Sequence, residues 1–253
     1  MTGSLRIVGI GPGLADWITP EASMMLADAT DLVGYAPYLD RCPARAGQRR
    51  HASDNRQELD RARAALRLAE AGRHVAVVSG GDPGVFAMAA AVFEAIDRGE
   101  PAWHAIDVRV SPGISAMQAA AARLGAPLGH DFCAISLSDN LKPWALVEKR
   151  LIAAAEADFV MALYNPASKT RRDQIGAAFA LLRRLKAGAT PVMFAKAIGR
   201  ADEHVIVSTL ADADPECVDM ATLVIVGSSE TKVISRGAGT PFVYTPRSAA
   251  RGP

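Results

Sequence analysis

Short apolar runs alternate with amphipathic stretches along nearly the whole chain. Residues 5–10 form an apolar run ending at a glycine turn and read as a buried strand. Thr19-Pro20-Glu21 then starts a helix, with Thr19 as cap, Pro20 in the first turn and Glu21 near the positive dipole end. Residues 31–34 predict a strand. Residues 55–71, rich in Ala, Leu, Arg and Glu, predict an amphipathic helix ended by Gly72. Strands at 74–78 and 105–110 flank a helix at 84–97, which puts Val85, Met88, Val92 and Ile96 on one face. A helix of small residues follows at 114–124.

A second series runs through strands at 132–137, 158–163, 191–195, 203–208 and 222–226, with helices at 143–157 and 169–186. Such alternation builds open sheets in α/β layers. The pattern predicts two α/β domains, residues 1–124 with a mostly parallel sheet and residues 125–253 with a mixed sheet. The second sheet is read as mixed because its last strands follow one another with little helix between them. Gly125-Ala126-Pro127-Leu128-Gly129 reads as the linker, and the tail after Thr245 as poorly ordered.

The 253 residues suit two compact domains, and half of them are hydrophobic, which sets aside a disordered chain. The formal charge of +1 leaves no global field for nucleic acid or an anionic membrane, so an anionic ligand needs a local basic patch. Cys42, Cys133 and Cys217 are odd in number and far apart, which argues against a disulfide framework. The five histidines have no metal-ligand spacing, so no metal site is expected. The N-terminus lacks a signal-peptide design, and the longest charge-free run, 110–122, is too short to span a bilayer. A cytoplasmic protein without a membrane partner is expected.

Three glycine-rich turns carry the chemistry. Gly9-Ile10-Gly11-Pro12-Gly13 follows the first strand, where glycine permits close backbone approach to a ligand. It fails the dinucleotide pattern. Leu14 stands where the third glycine belongs, Pro12 removes an N–H, and Gly34-Tyr35 replaces the acid that closes the second strand. A nicotinamide-dependent oxidoreductase is thereby disfavoured. Ser79-Gly80-Gly81-Asp82-Pro83-Gly84 and Ser111-Pro112-Gly113-Ile114-Ser115-Ala116 also follow strands. Each turn alone is as well explained by structure. Together, at the strand ends where open α/β sheets bind ligands, they favour a site.

In this order and spacing the three turns, followed by Leu163-Tyr164-Asn165-Pro166 and Thr222-Leu223-Val224-Ile225-Val226-Gly227, resemble the tetrapyrrole methylases. These are the class III S-adenosylmethionine (SAM)-dependent methyltransferases, and the resemblance spans about residues 5 to 246. Residues 33–40, 78–86, 128–132 and 135–139 are similar to the branch of the family that methylates precorrin-3B at C-17 and contracts the ring to precorrin-4 in cobalamin biosynthesis. So are Pro143-Trp144 and the run 157–169. Ala36 departs from the larger or basic residue expected there.

The resemblance implies SAM in the cleft between the domains, held largely by backbone. The matching positions are Gly11, Pro12, Gly81, Asp82, Val85, Phe86, Ser115, Ala116, Tyr164, Asn165, Ala197 and Thr222. Asp82 either caps its helix or holds the methionine end of SAM. The activated methyl needs alignment more than a protein nucleophile, which agrees with the lack of a Ser-His-Asp or Cys-His arrangement. Ring contraction adds proton transfer, for which Tyr35, Tyr38, His51, Asp139 and Lys196 are candidates. A polycarboxylate macrocycle calls for basic side chains. The cluster Arg41, Arg45, Arg49, Arg50, His51 and Arg56 is one group, equally readable as a solvated loop. Lys142, Lys196 and Arg200 are a second, with Lys142 the better candidate for plain surface charge. A homodimer is implied. The competing readings are a methylase of precorrin-4 at C-11, one of uroporphyrinogen III, one acting on a diphthamide intermediate, and a non-catalytic nucleotide-binding module.

Overall fold

The computed structural model describes residues 3–54, 57–168 and 170–248. The chain divides between Ala116 and Met117 into two compact units, each with its own sheet.

In the first unit five parallel strands, β1 (Ser4–Gly9), β2 (Asp31–Tyr35), β3 (Arg49–Ser53), β4 (His74–Ser79) and β5 (Asp107–Ser111), lie in the order β3-β2-β4-β1-β5. Both faces are covered, so alternate side chains enter two different cores. Leu5, Ile7, Val33, Val75 and Val77 pack with Ala62, Ala65 and Leu66 of α3 (Glu58–Glu70) and Val92 of α4 (Met88–Asp97). Val8, Ile10, Leu32, Ala76 and Val78 pack with Ala22 and Leu26 of α1 (Pro20–Asp28), and with Leu39 of α2 (Ala36–Leu39). Thr19 caps α1 as expected, its hydroxyl accepting from Ala22 N at 3.1 Å.

Two features of this unit differ from the sequence reading. Arg49–Ser53, taken as part of a basic loop, is an edge strand paired in parallel with β2. An edge strand needs little apolar surface, and its charges hid it. The helix expected at 84–97 begins only at Met88, because Phe86 has φ +51° and breaks the helical path after Pro83. Asn55 and Arg56, which the sequence assigned to the start of α3 and to the basic patch, lie outside the described residues.

In the second unit β7 (Phe132–Ser136) runs parallel to β8 (Val160–Tyr164). β9 (Pro191–Lys196), β10 (His204–Thr209) and β11 (Thr222–Val226) complete a sheet of order β10-β9-β11-β8-β7, whose other three pairings are antiparallel. The expected mixed sheet is what forms. Its core gathers Leu151 of α6 (Trp144–Glu156) and Ile175 and Phe179 of α7 (Asp173–Leu182) with Met161, Leu163, Phe194 and Val224. The helix read at 169–186 is shorter, and Lys169 lies outside the described residues. The small-residue helix α5 (Ala116–Leu124) leads into the unit.

Gly125-Ala126 is a short strand, β6, paired in parallel with β13 (Phe242–Tyr244), which in turn pairs with β12 (Lys232–Ile234). The sequence reading did not place β12 or β13. Gly125 takes φ +122°, and a methyl there would lie 2.9 Å from the Val243 carbonyl oxygen, so the pairing requires glycine. The stretch read as a linker is thus held within the second unit. Of the tail expected to be poorly ordered, residues 249–253 lie outside the described residues. No helix among the described residues is long and apolar enough to cross a membrane.

Candidate functional site

In the first unit the three glycine turns leave the C-terminal ends of adjacent strands β4, β1 and β5 and are bonded to one another. Gly11 N donates to Gly81 O at 3.2 Å and Gly81 N to Gly11 O at 2.9 Å, with φ of +65° and +69° at the two glycines. Gly113 closes the group, since a methyl on it would stand 2.3 Å from Gly81 O. Asp82 Oδ1 accepts from Gly84 N at 2.8 Å and Oδ2 from Gly113 N at 3.1 Å, so its carboxylate ties the second turn to the third. It braces turns rather than capping α4, which starts six residues later.

Pro12 continues the first turn, and Val85 and Phe86 lie in the loop between Asp82 and α4. Ser115 is buried, and Ala116 opens α5 with its N–H near Gly81. Arg41 was assigned to the basic patch by sequence. Its guanidinium donates to the carbonyls of Ile10 (2.7 Å), Gly11 (3.0 Å) and Gly13 (3.1 Å) and so clamps the first turn. Tyr35 and Tyr38 meet edge to face with ring centroids 5.3 Å apart, and the Tyr38 ring covers Gly80 so closely that a methyl there would lie 2.6 Å from it.

The other basic candidates of this unit point elsewhere. Arg50 donates to Leu39 O at 2.8 Å and Cys42 O at 2.7 Å. His51 Nε2 lies 2.8 Å from Asp31 Oδ1, at the first residue of β2 and away from the glycine turns. Arg49 is exposed at the start of β3, in register with Asp31. Asp31 is fully buried and also accepts from Arg73 Nε and Thr30 Oγ1, each at 2.7 Å. Burial alone would raise its pKa, but the bonds from Arg73, His51 and Thr30 outweigh it and hold the carboxyl at about 2.

In the second unit the register puts Ser136, Tyr164, Thr222 and Lys196 at one edge of the sheet, because β11 runs against its neighbours and offers its first residue where they offer their last. Tyr164 Oη accepts from Met117 N at 3.1 Å, and Asn165 Nδ2 donates to Ser136 Oγ at 3.0 Å. Asn165 and Ala197 have φ of +51° and +50°. With Phe86, three of the four non-glycine residues of positive φ among the described residues are positions matched to SAM contacts. For alanine and phenylalanine this conformation costs about 1–2 kcal/mol, and such strain gathers where backbone serves a ligand.

Asp219 is the residue that sequence reasoning missed. Its Oδ2 lies 2.7 Å from Lys196 Nζ, and its Oδ1 accepts from Thr222 Oγ1 at 2.8 Å and Ala221 N at 2.9 Å. The hydrogen bond and charge of Asp219 raise the Lys196 pKa above its ordinary value, so the ammonium form persists at neutral pH. Arg200 is exposed in the turn after Ala197, its N–H bonded to Ala197 O at 2.9 Å. Asp139, just beyond β7, accepts from Gln174 Nε2 at 3.0 Å and lies 3.8 Å from Arg171 Nε.

Comparison with known proteins agrees with this arrangement. The sequence profile of the Tetrapyrrole (Corrin/Porphyrin) Methylases matches residues 4–214. The chain belongs to the tetrapyrrole methylases. Within that family it is 57% identical over 247 residues to the Precorrin-3B C(17)-methyltransferase of Sinorhizobium sp, covering 98% of this chain and 97% of that protein. It is 44% identical to the Probable cobalt-factor III C(17)-methyltransferase of Salmonella typhimurium, covering 95% and 99% of the two chains. The Cobalamin biosynthesis protein CobIJ of Mycobacterium tuberculosis is 51% identical, and this methylase spans 48% of its length. Among solved structures, the methyltransferase CobJ superposes with a TM-score of 0.91 at 51% identity over 97% of this chain and all of that one. The fold extends to the uroporphyrin-III C-methyl transferase of Thermus thermophilus, complexed with S-adenyl homocysteine, at a TM-score of 0.67 and 23% identity over 89% and 97% of the chains.

Proposed function

We propose that this chain transfers the methyl group of SAM to C-17 of precorrin-3B, with ring contraction to precorrin-4. The observation that carries the reading is the 57% identity, along nearly the whole of both chains, to a protein named for that reaction. Identity to the cobalt-factor III enzyme is lower, which favours the cobalt-free substrate.

Gly11, Pro12, Gly81, Asp82, Val85, Phe86, Ser115 and Ala116 of the first unit, with Tyr164, Asn165, Ala197 and Thr222 of the second, are the residues we assign to SAM. The fit is supported by the side-chain-free cradle at Gly11, Gly81 and Gly113 and by the strained backbone at Phe86 and Ala197. SAM supplies a methyl already activated by its sulfonium, so the chain's task is to align the acceptor carbon and exclude water. Lys196, held as an ammonium by Asp219, serves as a hydrogen-bond donor rather than a base. The proton transfer that ring contraction requires is assigned to Tyr35, Tyr38 or Asp139. Of the basic candidates, Arg200 is kept as a contact to the macrocycle's carboxylates, whereas Arg50 and His51 are spent on the scaffold and Arg49 stands at the same end of the sheet as Asp31. The protein acts in the cytoplasm as a homodimer, a state that sedimentation of the purified chain tests directly.

The decisive experiment is incubation of the protein with SAM and precorrin-3B, followed by mass spectrometry. A methylated, ring-contracted product is expected. Absence of that product, while a known enzyme succeeds under the same conditions, overturns the reading. A product methylated at another carbon assigns the chain to a different methylase.

A further inference from the structure

Beyond β7 and β8 the second unit holds a group of cations with too little acid. Arg171 has only 12% of its side chain exposed, yet among the described residues its guanidinium contacts are long: 3.4 Å to Leu137 O, 3.5 Å to Asn165 O and 3.8 Å to Asp139. Hydrogen bonds to a guanidinium normally close to about 2.7–2.9 Å. Arg41 and Arg50 reach their carbonyls at 2.7 to 3.1 Å, so this chain holds its structural arginines tightly and Arg171 loosely.

Lys142 stands in the same group, its Nζ donating to Ser138 O at 2.8 Å. Burial and the charges of Arg150 and Arg171 push its pKa down, against only Asp139 in the other direction. Asp139 is shared, since its second oxygen is taken by Gln174. Among the described residues two buried polar side-chain atoms lack a hydrogen-bond partner, Ser168 Oγ and Gln174 Oε1; Ser168 is bonded to Arg171 through the backbone, and Gln174 shares Asp139 with it. Orphaned buried polar atoms are rare, and finding them beside an under-coordinated guanidinium marks a place built for a guest.

We propose that Lys142 and Arg171 form an anion subsite that takes one carboxylate side chain of the macrocycle, with the Ser168 hydroxyl as a further donor. The assignment rests on the reading of this chain as a methylase of a polycarboxylate tetrapyrrole. A carboxylate matches the planar fork of Arg171 and supplies the counter-charge that Lys142 lacks. It also gives the run Ser138 to Lys142 a role that surface charge does not.

The test is steady-state kinetics of Lys142→Met and Arg171→Lys beside wild type, with SAM affinity measured by calorimetry and folding by thermal melting. Lys142→Met keeps the aliphatic stem and removes the charge. It raises KM for the macrocycle about ten- to a hundred-fold, as loss of a charged hydrogen bond does, and leaves SAM affinity unchanged. Arg171→Lys keeps the charge without the fork and gives a smaller rise. An unaltered macrocycle KM in folded Lys142→Met overturns the proposal. So does a loss of SAM affinity with KM for the macrocycle unchanged, which assigns the cations to the methionine carboxylate instead. If wild type itself forms no product, the functional reading falls and takes this assignment with it; an active wild type beside an unaltered Lys142→Met overturns this assignment alone.

Discussion

Replacing Gly113 with alanine tests whether the three turns act as one cradle. The new methyl stands 2.3 Å from Gly81 O and 3.0 Å from Gly9 Cα. A carbon–oxygen contact settles at about 3.3 Å, so roughly 1 Å must be absorbed. Neither neighbour can turn aside, because both are backbone. Gly81 O already accepts from Gly11, and Gly113 N is bonded to Asp82, so the displacement loosens both links. Overpacking of this kind costs about 1–3 kcal/mol, a fall of several degrees in melting temperature for a chain of this size. The loss for SAM is larger in kind, since two turns must move together. We expect affinity to drop at least about ten-fold, the equivalent of one or two backbone hydrogen bonds. Calorimetric titration with SAM reads this directly. Gly176→Ala is the control: it lies in α7 with nothing within 4 Å of the added methyl, so it gains about 0.5–1 kcal/mol and leaves SAM binding alone. Folded Gly113→Ala that binds SAM like wild type would show that the turns are not the cradle.

Arg41→Met removes the clamp on Ile10, Gly11 and Gly13 and lowers SAM affinity more than it lowers the melting temperature; the reverse ordering in the same two assays would make Arg41 a purely structural residue. Asp219→Asn releases Lys196 towards its ordinary pKa, so the alkaline limb of the kcat profile moves to lower pH, whereas an unmoved limb takes Lys196 out of the reaction. The depressed pKa of Asp31 means stability that is present above pH ~4 and lost as pH falls through about 2. Asp31→Asn therefore loses at most about 2 kcal/mol in urea unfolding at neutral pH, less where solvent screens the His51 side. The gap from wild type closes near pH 2, and a gap independent of pH would contradict the assignment.

Strand and helix placement was legible where burial dictated side-chain chemistry. β1, β4, β8 and β11 are mostly apolar because helices or loops cover them, and the sequence places each within a residue or two. β3 was not, because an edge strand is held by backbone pairing that Arg49, Arg50 and His51 satisfy as well as valines do. The start of α4 was misplaced because Asp82-Pro83 has the composition of a helix entrance. Nothing in the residue type warns that Phe86 takes a left-handed conformation. The glycine turns and the Tyr164, Lys196 and Thr222 edge could be read from order and spacing. The roles of Arg41 and Asp219 could not, since each depends on partners set by folding: Arg41 on a turn 28 to 31 residues away, and Asp219 on Lys196 across a strand pairing.

The buried Asp31 sits at the first residue of β2, whereas the glycine turns leave the far ends of the strands beside it. Foundation and proposed cradle therefore occupy opposite ends of the same sheet. Substitutions in the loops beyond the strand ends leave the Arg73–Asp31–His51 anchorage intact, so the scaffold can absorb trial sequences there without losing its footing. For anyone altering which macrocycle this scaffold accepts, variation confined to the upper loops is the search with the lowest attrition.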